Sequence, residues 1–193
     1  MKPLALIAAV SLFWTVAAQD AKPATSEVDA LLVAIAEIHW FENVRHLKLT
    51  DVQLDKLMAA NKKARERENE QFKAEAKDLL ALKEDVEKAR QQAIAGRPAP
   101  QGLLNRLKEL EKKAAEDRKA LRVKAVKELA TELRPIFTDE QFAEMARKSK
   151  EVLKEQKFNV EGSEDVQLYW FYVEHVFLPE LAVEMMKKLK DHN

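Results

Sequence analysis

An all-α fold is predicted: a long antiparallel helical hairpin with shorter helices at both ends, about five helices once an N-terminal leader is removed. Three observations predict it. The 193 residues include only three Gly, at positions 96, 102 and 162, all at apparent breaks between helices. Charged residues make up 34% of the chain, a composition that suits long solvated helices. Apolar residues also recur at three- and four-residue intervals over most of its length.

In chain order, residues 1–18 read as a signal peptide, residues 19–25 as a flexible leader and residues 26–193 as one helical domain. Lys2 gives a short positive start, Leu4 to Val16 is apolar or small, and Val16-Ala17-Ala18 offers small residues for cleavage before Gln19. The apolar run is shorter than the ~20 residues a membrane-spanning helix needs. With no Cys in the chain, neither a lipobox nor a disulfide framework is available. The implied location is periplasmic or secreted.

The first helix is expected from the N-cap Ser26 to about His46, with Val28, Leu31, Leu32, Ile35, Ile38 and Phe41 at helical spacing. A second is expected to run unbroken from Thr50 to about Ala95. Its seven-residue apolar repeat starts at Leu54 and Met58 and resumes at Phe72, Leu79, Leu82, Val86, Ala89 and Ala93. Between them, Lys62 to Gln71 contains no large apolar side chain. Gly96, Pro98, Pro100 and Gly102 break the chain, and a third helix follows from Leu103 to about Leu133. Two long helices joined by a short loop pack as an antiparallel pair. Thr138 caps a fourth helix to about Lys157. Ser163 caps the last, expected to reach about Lys190 with a kink at Pro179.

Two helix starts carry the same chemistry. Leu49-Thr50-Asp51-Val52-Gln53-Leu54 recurs 88 positions later as Phe137-Thr138-Asp139-Glu140-Gln141-Phe142. In each, Thr accepts from the backbone N–H of the Gln three residues on, and that Gln reaches back to the N–H of the Thr, forming a capping box. Leu49 with Leu54, and Phe137 with Phe142, have the spacing of a hydrophobic staple. Asp51, Asp139 and Glu140 place negative charge where the helix dipole favours it. Ile35, Ile38 and Phe41 precede Thr50 by the intervals at which Val123, Val126 and Leu129 precede Thr138, which leaves an internal duplication open.

Charge and residue usage narrow the function. Without residues 1–18 the chain carries 32 basic and 33 acidic residues, whereas a general binder of nucleic acid or anionic membrane needs an excess of Lys and Arg. No activated nucleophile, phosphate-cradling loop or acid/base pair stands out, and no cofactor is expected. His39, Glu42 and His46 lie along one side of a helix and are the weak metal-ligand candidates; the alternative is a partly buried His39 beside a solvated Glu42 and His46. Tyr169-Trp170-Phe171-Tyr172 also has two readings. It either packs on His39-Trp40-Phe41 as core or forms an exposed surface for a partner.

With its Leu-Thr-x-x-Gln sequence at Leu49 to Gln53 and a second copy beyond a long helical hairpin, this exported, Cys-free chain resembles the Spy/CpxP family of periplasmic stress proteins. The resemblance covers roughly residues 44–157, with Phe137 in the place of the leading Leu. It implies a non-enzymatic, ATP-independent chaperone or envelope-stress adaptor that works as a homodimer on unfolded or misfolded proteins or a stress-sensor domain. A structural or envelope-organising scaffold is the alternative, and a metal-binding sensor the third reading.

Overall fold

The structure, a computed structural model, describes residues 27–192. The signal peptide, leader and Ser26 cap lie outside them. The described residues form seven α-helices and no strand: α1 (Glu27–Val44), α2 (Asp51–Leu80), α3 (Lys83–Ile94), α4 (Gln101–Leu133), α5 (Asp139–Glu155), α6 (Asp165–Tyr172) and α7 (Leu181–Lys190). They divide into two units whose boundaries fall within α2 and α4.

The first unit comprises the described residues up to Asn61 and those from Val126 onward. Its core is aliphatic and aromatic. Leu54, Leu57, Leu129, Met145, Leu153, Tyr169, Phe177 and Met185 are among its most completely buried side chains. Phe137 stacks on Phe177 at 5.9 Å and meets Tyr169 edge-on at 6.2 Å, while Tyr172 meets Phe177 edge-on at 5.3 Å; such arrangements suit the ring quadrupoles. α5 shows why its sequence forms a surface helix. Met145, Ala146, Ser149 and Leu153 recur on one buried face, with Glu144, Arg147 and Glu151 paired on the other side. Lys157 ends this segment at φ 64°, and Phe158 N–H reaches back to the Leu153 carbonyl at 2.9 Å. That is a Schellman ending with Lys in the position Gly usually holds.

The C-terminal region is not one kinked helix. Glu164, and not Ser163, precedes the first turn of α6, its N–H bonded to the Gln167 side chain at 3.3 Å. After α6 the chain forms a π-helical turn over Val173–Phe177 before α7 begins. This turn places Val173 and Phe177 both in the core. Pro179, just beyond the turn, has no N–H with which to continue the ladder. Asn61 braces this end of the turn: its Nδ2 bonds the carbonyls of Phe177 and Pro179, both at 2.9 Å.

The second unit, Lys62–Ala125, has a thin core: Ala64, Ala89, Leu103 and Ala125 are its fully buried apolar residues. The expected unbroken helix from Thr50 to Ala95 is interrupted. Leu82 adopts φ −98°, ψ 2°, and its N–H bonds to the Leu79 carbonyl at 3.0 Å, a 3₁₀ contact that separates α2 from α3. Gly96 at φ 74° ends α3, with Arg97 N–H on the Gln92 carbonyl at 2.9 Å. The Pro100 carbonyl then accepts from Leu103 and Leu104 and opens α4. Arg106 pairs with Asp85 at 2.8 Å and Arg118 with Glu75 at 3.2 Å. The earlier of the two Arg residues of α4 thus meets α3 and the later one meets α2.

Candidate functional site

The two recurrent helix starts meet. Each forms its own box: Gln53 N–H donates to Thr50 Oγ1 at 3.3 Å while Thr50 N–H donates to Gln53 Oε1 at 2.9 Å; the corresponding distances at Thr138 and Gln141 are 3.2 and 3.0 Å. The amide nitrogens then cross over. Gln53 Nε2 donates to the Ile136 carbonyl at 2.7 Å and to Gln141 Oε1 at 2.9 Å; Gln141 Nε2 donates to the Leu47 carbonyl at 2.7 Å. Leu47 and Ile136 are the last residues of two short 3₁₀ turns, Arg45–Leu47 and Arg134–Ile136, that lead into the motifs. Each glutamine thus caps its own helix and satisfies the turn that introduces the other.

The staples sit inside this arrangement. Leu49, Leu54 and Phe137 are buried and Phe142 is partly buried against Tyr169, with ring centres 5.2 Å apart. Arg134, a residue the sequence did not single out, braces the second motif. It donates to the Phe137 carbonyl at 3.1 Å, pairs with Asp139 at 2.5 Å and lies over the Phe142 ring at 4.3 Å. In the first turn of α5, Glu140 has its carboxyl held below the ordinary value of 4.5, first by backbone N–H donation and then by the Thr138 hydroxyl. Glu144, one turn on, is also lowered, chiefly by its hydrogen bonds from Arg147. The groups that cross between the two motifs, the Gln53 and Gln141 amides and the Leu47 and Ile136 carbonyls, are all uncharged. Their chemistry is that of a hydrogen-bonded clasp between two helix starts.

The other predicted residues are placed as follows. Tyr169 and Tyr172 are buried, their hydroxyls donating to the carbonyls of Ala130 at 3.0 Å and Asn43 at 2.6 Å, and burial raises both phenol pKa values. They are therefore not an exposed surface; Trp170 and Phe171 are partly accessible, Trp170 beneath Lys127 at 5.7 Å. Trp40 donates to the Val176 carbonyl at 2.7 Å, so the aromatic stretch packs on the end of α1. His39 is exposed, Glu42 pairs with Arg45 at 2.8 Å, and His46 Nε2 accepts from Arg45. Among the described residues no group of three or more His, Asp or Glu could hold a metal ion.

Two surfaces carry exposed apolar side chains. On α1, Val28, Leu31, Leu32, Ile35 and Ile38, expected at core spacing, face solvent. In the second unit Phe72, Leu79, Leu80 and Val86 are exposed, Leu80 at 67% and Phe72 at 53%. The same unit has an open groove of about 530 Å³ lined by Lys63, Glu66, Arg67, Glu70, Gln71 and Leu121. The seven-residue spacing of Phe72, Leu79 and Val86 marks one helical face, but all three are exposed.

Comparison of the chain with protein-family models, curated proteins and solved structures finds no match.

Proposed function

We propose that this protein is an exported, ATP-independent chaperone or envelope-stress adaptor of the Spy/CpxP type, acting as a homodimer on unfolded or misfolded chains. The observation that carries the reading is the surface of the second unit. Phe72, Leu79, Leu80 and Val86 are exposed there amid closely spaced charges of both signs. A binder without an energy source needs apolar contact that is accessible yet releases, and charge that steers and retains partly folded segments. Large contiguous apolar patches mark interaction sites, and these four side chains are the candidates for one.

Leu49, Leu54 and Phe137 are core, so the clasp holds helix starts in place and client contact falls to the exposed side chains of the second unit. No helix among the described residues is long and apolar enough to cross a membrane. The paired helix starts support kinship with the Leu-Thr-x-x-Gln proteins as an arrangement, since both copies of the motif are used together.

The test is aggregation of an unrelated, chemically denatured protein on dilution. The purified chain beginning at Gln19 should suppress light scattering at about equimolar ratio without ATP. A helical scaffold would leave the scattering unchanged, and a metal sensor would suppress it only in the presence of its ion.

A further inference from the structure

We propose that the outward face of α1 is where a second copy of this chain docks, helix against helix. Val28, Leu31, Ile35 and Ile38 stand at alternating intervals of three and four, the register of a coiled-coil seam, with Leu32 beside it. All five are exposed, from 42% at Ile35 to 64% at Val28. The far end of the same helix is fixed. Trp40 bonds the Val176 carbonyl at 2.7 Å, Tyr172 bonds the Asn43 carbonyl at 2.6 Å, and Glu37 pairs with Lys188 of α7 at 2.6 Å. The seam is thus presented on an anchored helix.

Register and charge choose the occupant. Alternating three- and four-residue spacing is complementary to another helix, and β-branched Val28 and Ile35 on either side of Leu31 follow the pattern of two-stranded coils, from which Ile38 departs. α1 contains no Lys or Arg and begins with Glu27 and Asp29, whereas a helix that lies on anionic lipid carries Lys and Arg on its polar face. No charged side chain interrupts the seam before Glu42, which is paired with Arg45 at 2.8 Å, so two copies can close on each other without burying a charge. Two such faces together expose on the order of 1,000 Å² of aliphatic surface, the size at which a protein contact becomes specific. This inference deepens the homodimer part of the proposed function and rests on it; it does not depend on chaperone activity.

The chain has no Cys, so introduced thiols report without interference. Leu31→Cys alone, and Leu31→Cys mixed with Ile35→Cys, are oxidised mildly beside Leu80→Cys as control, while sedimentation measures the oligomeric state of the unaltered chain and of Ile35→Glu. The expected result is a dimer that Ile35→Glu weakens tenfold or more with helicity unchanged. A disulfide-linked dimer should form from Leu31→Cys alone if the helices are parallel, or between the two mixed variants if they are antiparallel, well above the control. A dimer that survives Ile35→Glu and gives no such link overturns the inference, since the copies then meet elsewhere. A monomer at all concentrations overturns it too; if that monomer still suppresses aggregation, the chaperone reading stands without the dimer. A monomer whose binding to phosphatidylglycerol vesicles or to denatured protein is abolished by Ile35→Glu assigns the face to lipid or client instead.

Discussion

Gln53 and Gln141 each perform two tasks with one amide: the oxygen closes a capping box and the nitrogen crosses to the other motif. Removing the Thr hydroxyl disturbs only the first task. Thr50→Ala or Thr138→Ala should cost about 1 kcal/mol in urea unfolding, and Thr→Ser much less; equal losses for Ala and Ser would mean that neither hydroxyl caps. Truncating a glutamine disturbs both tasks. Because Gln53 is buried, Gln53→Ala leaves the Ile136 carbonyl without this donor and should cost roughly 2–3 kcal/mol, with a non-additive double mutant when combined with Gln141→Ala. Additive losses would show that the two side chains act independently. The boxes were legible in the sequence because N-cap, Gln and staple occupy fixed local offsets. Their pairing was not, since nothing in either hexapeptide specifies a partner 88 residues away. Arg134 and Asn61 give no sequence signal: Arg134 bonds the Phe137 carbonyl as the turn folds, and Asn61 meets carbonyls more than 100 residues away.

Acid sensitivity is also set residue by residue. Glu144 titrates below its ordinary value of 4.5 because Arg147 donates to it. A carboxyl lowered in the folded state adds stability that is present above 4.5 and is lost as the pH falls through the folded value. Glu144→Gln should therefore lower stability at neutral pH slightly and flatten its decline below pH 4.5. Thermal melts at pH 7 and pH 3 check this; an unchanged difference between the two would remove Glu144 from the account.

At the scale of elements, local backbone signals were legible where Gly or Pro supplies them and obscure where they do not. Gly96 ends α3 with positive φ, as its position after a helical run predicts. Lys157 adopts the same conformation with a Cβ present, because the return of Phe158 and Val160 to the core dictates the turn. Lys157→Gly should stabilise the protein by up to about 1 kcal/mol, the relief of left-handed strain exceeding the added freedom of the unfolded chain; a loss of stability would mean that the Lys side chain supports the turn. The break at Leu82 and the π turn at Val173–Phe177 have no Gly and no internal Pro. The π turn serves the core: it brings Val173 and Phe177 into one cluster, with Asn61 bonding the carbonyls at its end. Helical periodicity likewise identified the apolar faces of α1 and α2 but not their burial, which depends on what lies opposite.

For the whole molecule, the all-α class follows from composition and periodicity, and the concentration of core residues in the first unit does not. Its aromatic residues pack there, while the second unit keeps Phe72, Leu79, Leu80 and Val86 in solvent. The functional account turns on that difference, since exposed side chains can be altered without emptying a core. The most direct measurement pairs activity with stability in one variant, Phe72→Glu with Leu79→Glu, assayed for suppression of aggregation, helicity and melting temperature. The account predicts suppression reduced at least tenfold with helicity and melting temperature nearly unchanged. Suppression equal to that of the unaltered chain, or lost only together with folding, would contradict it.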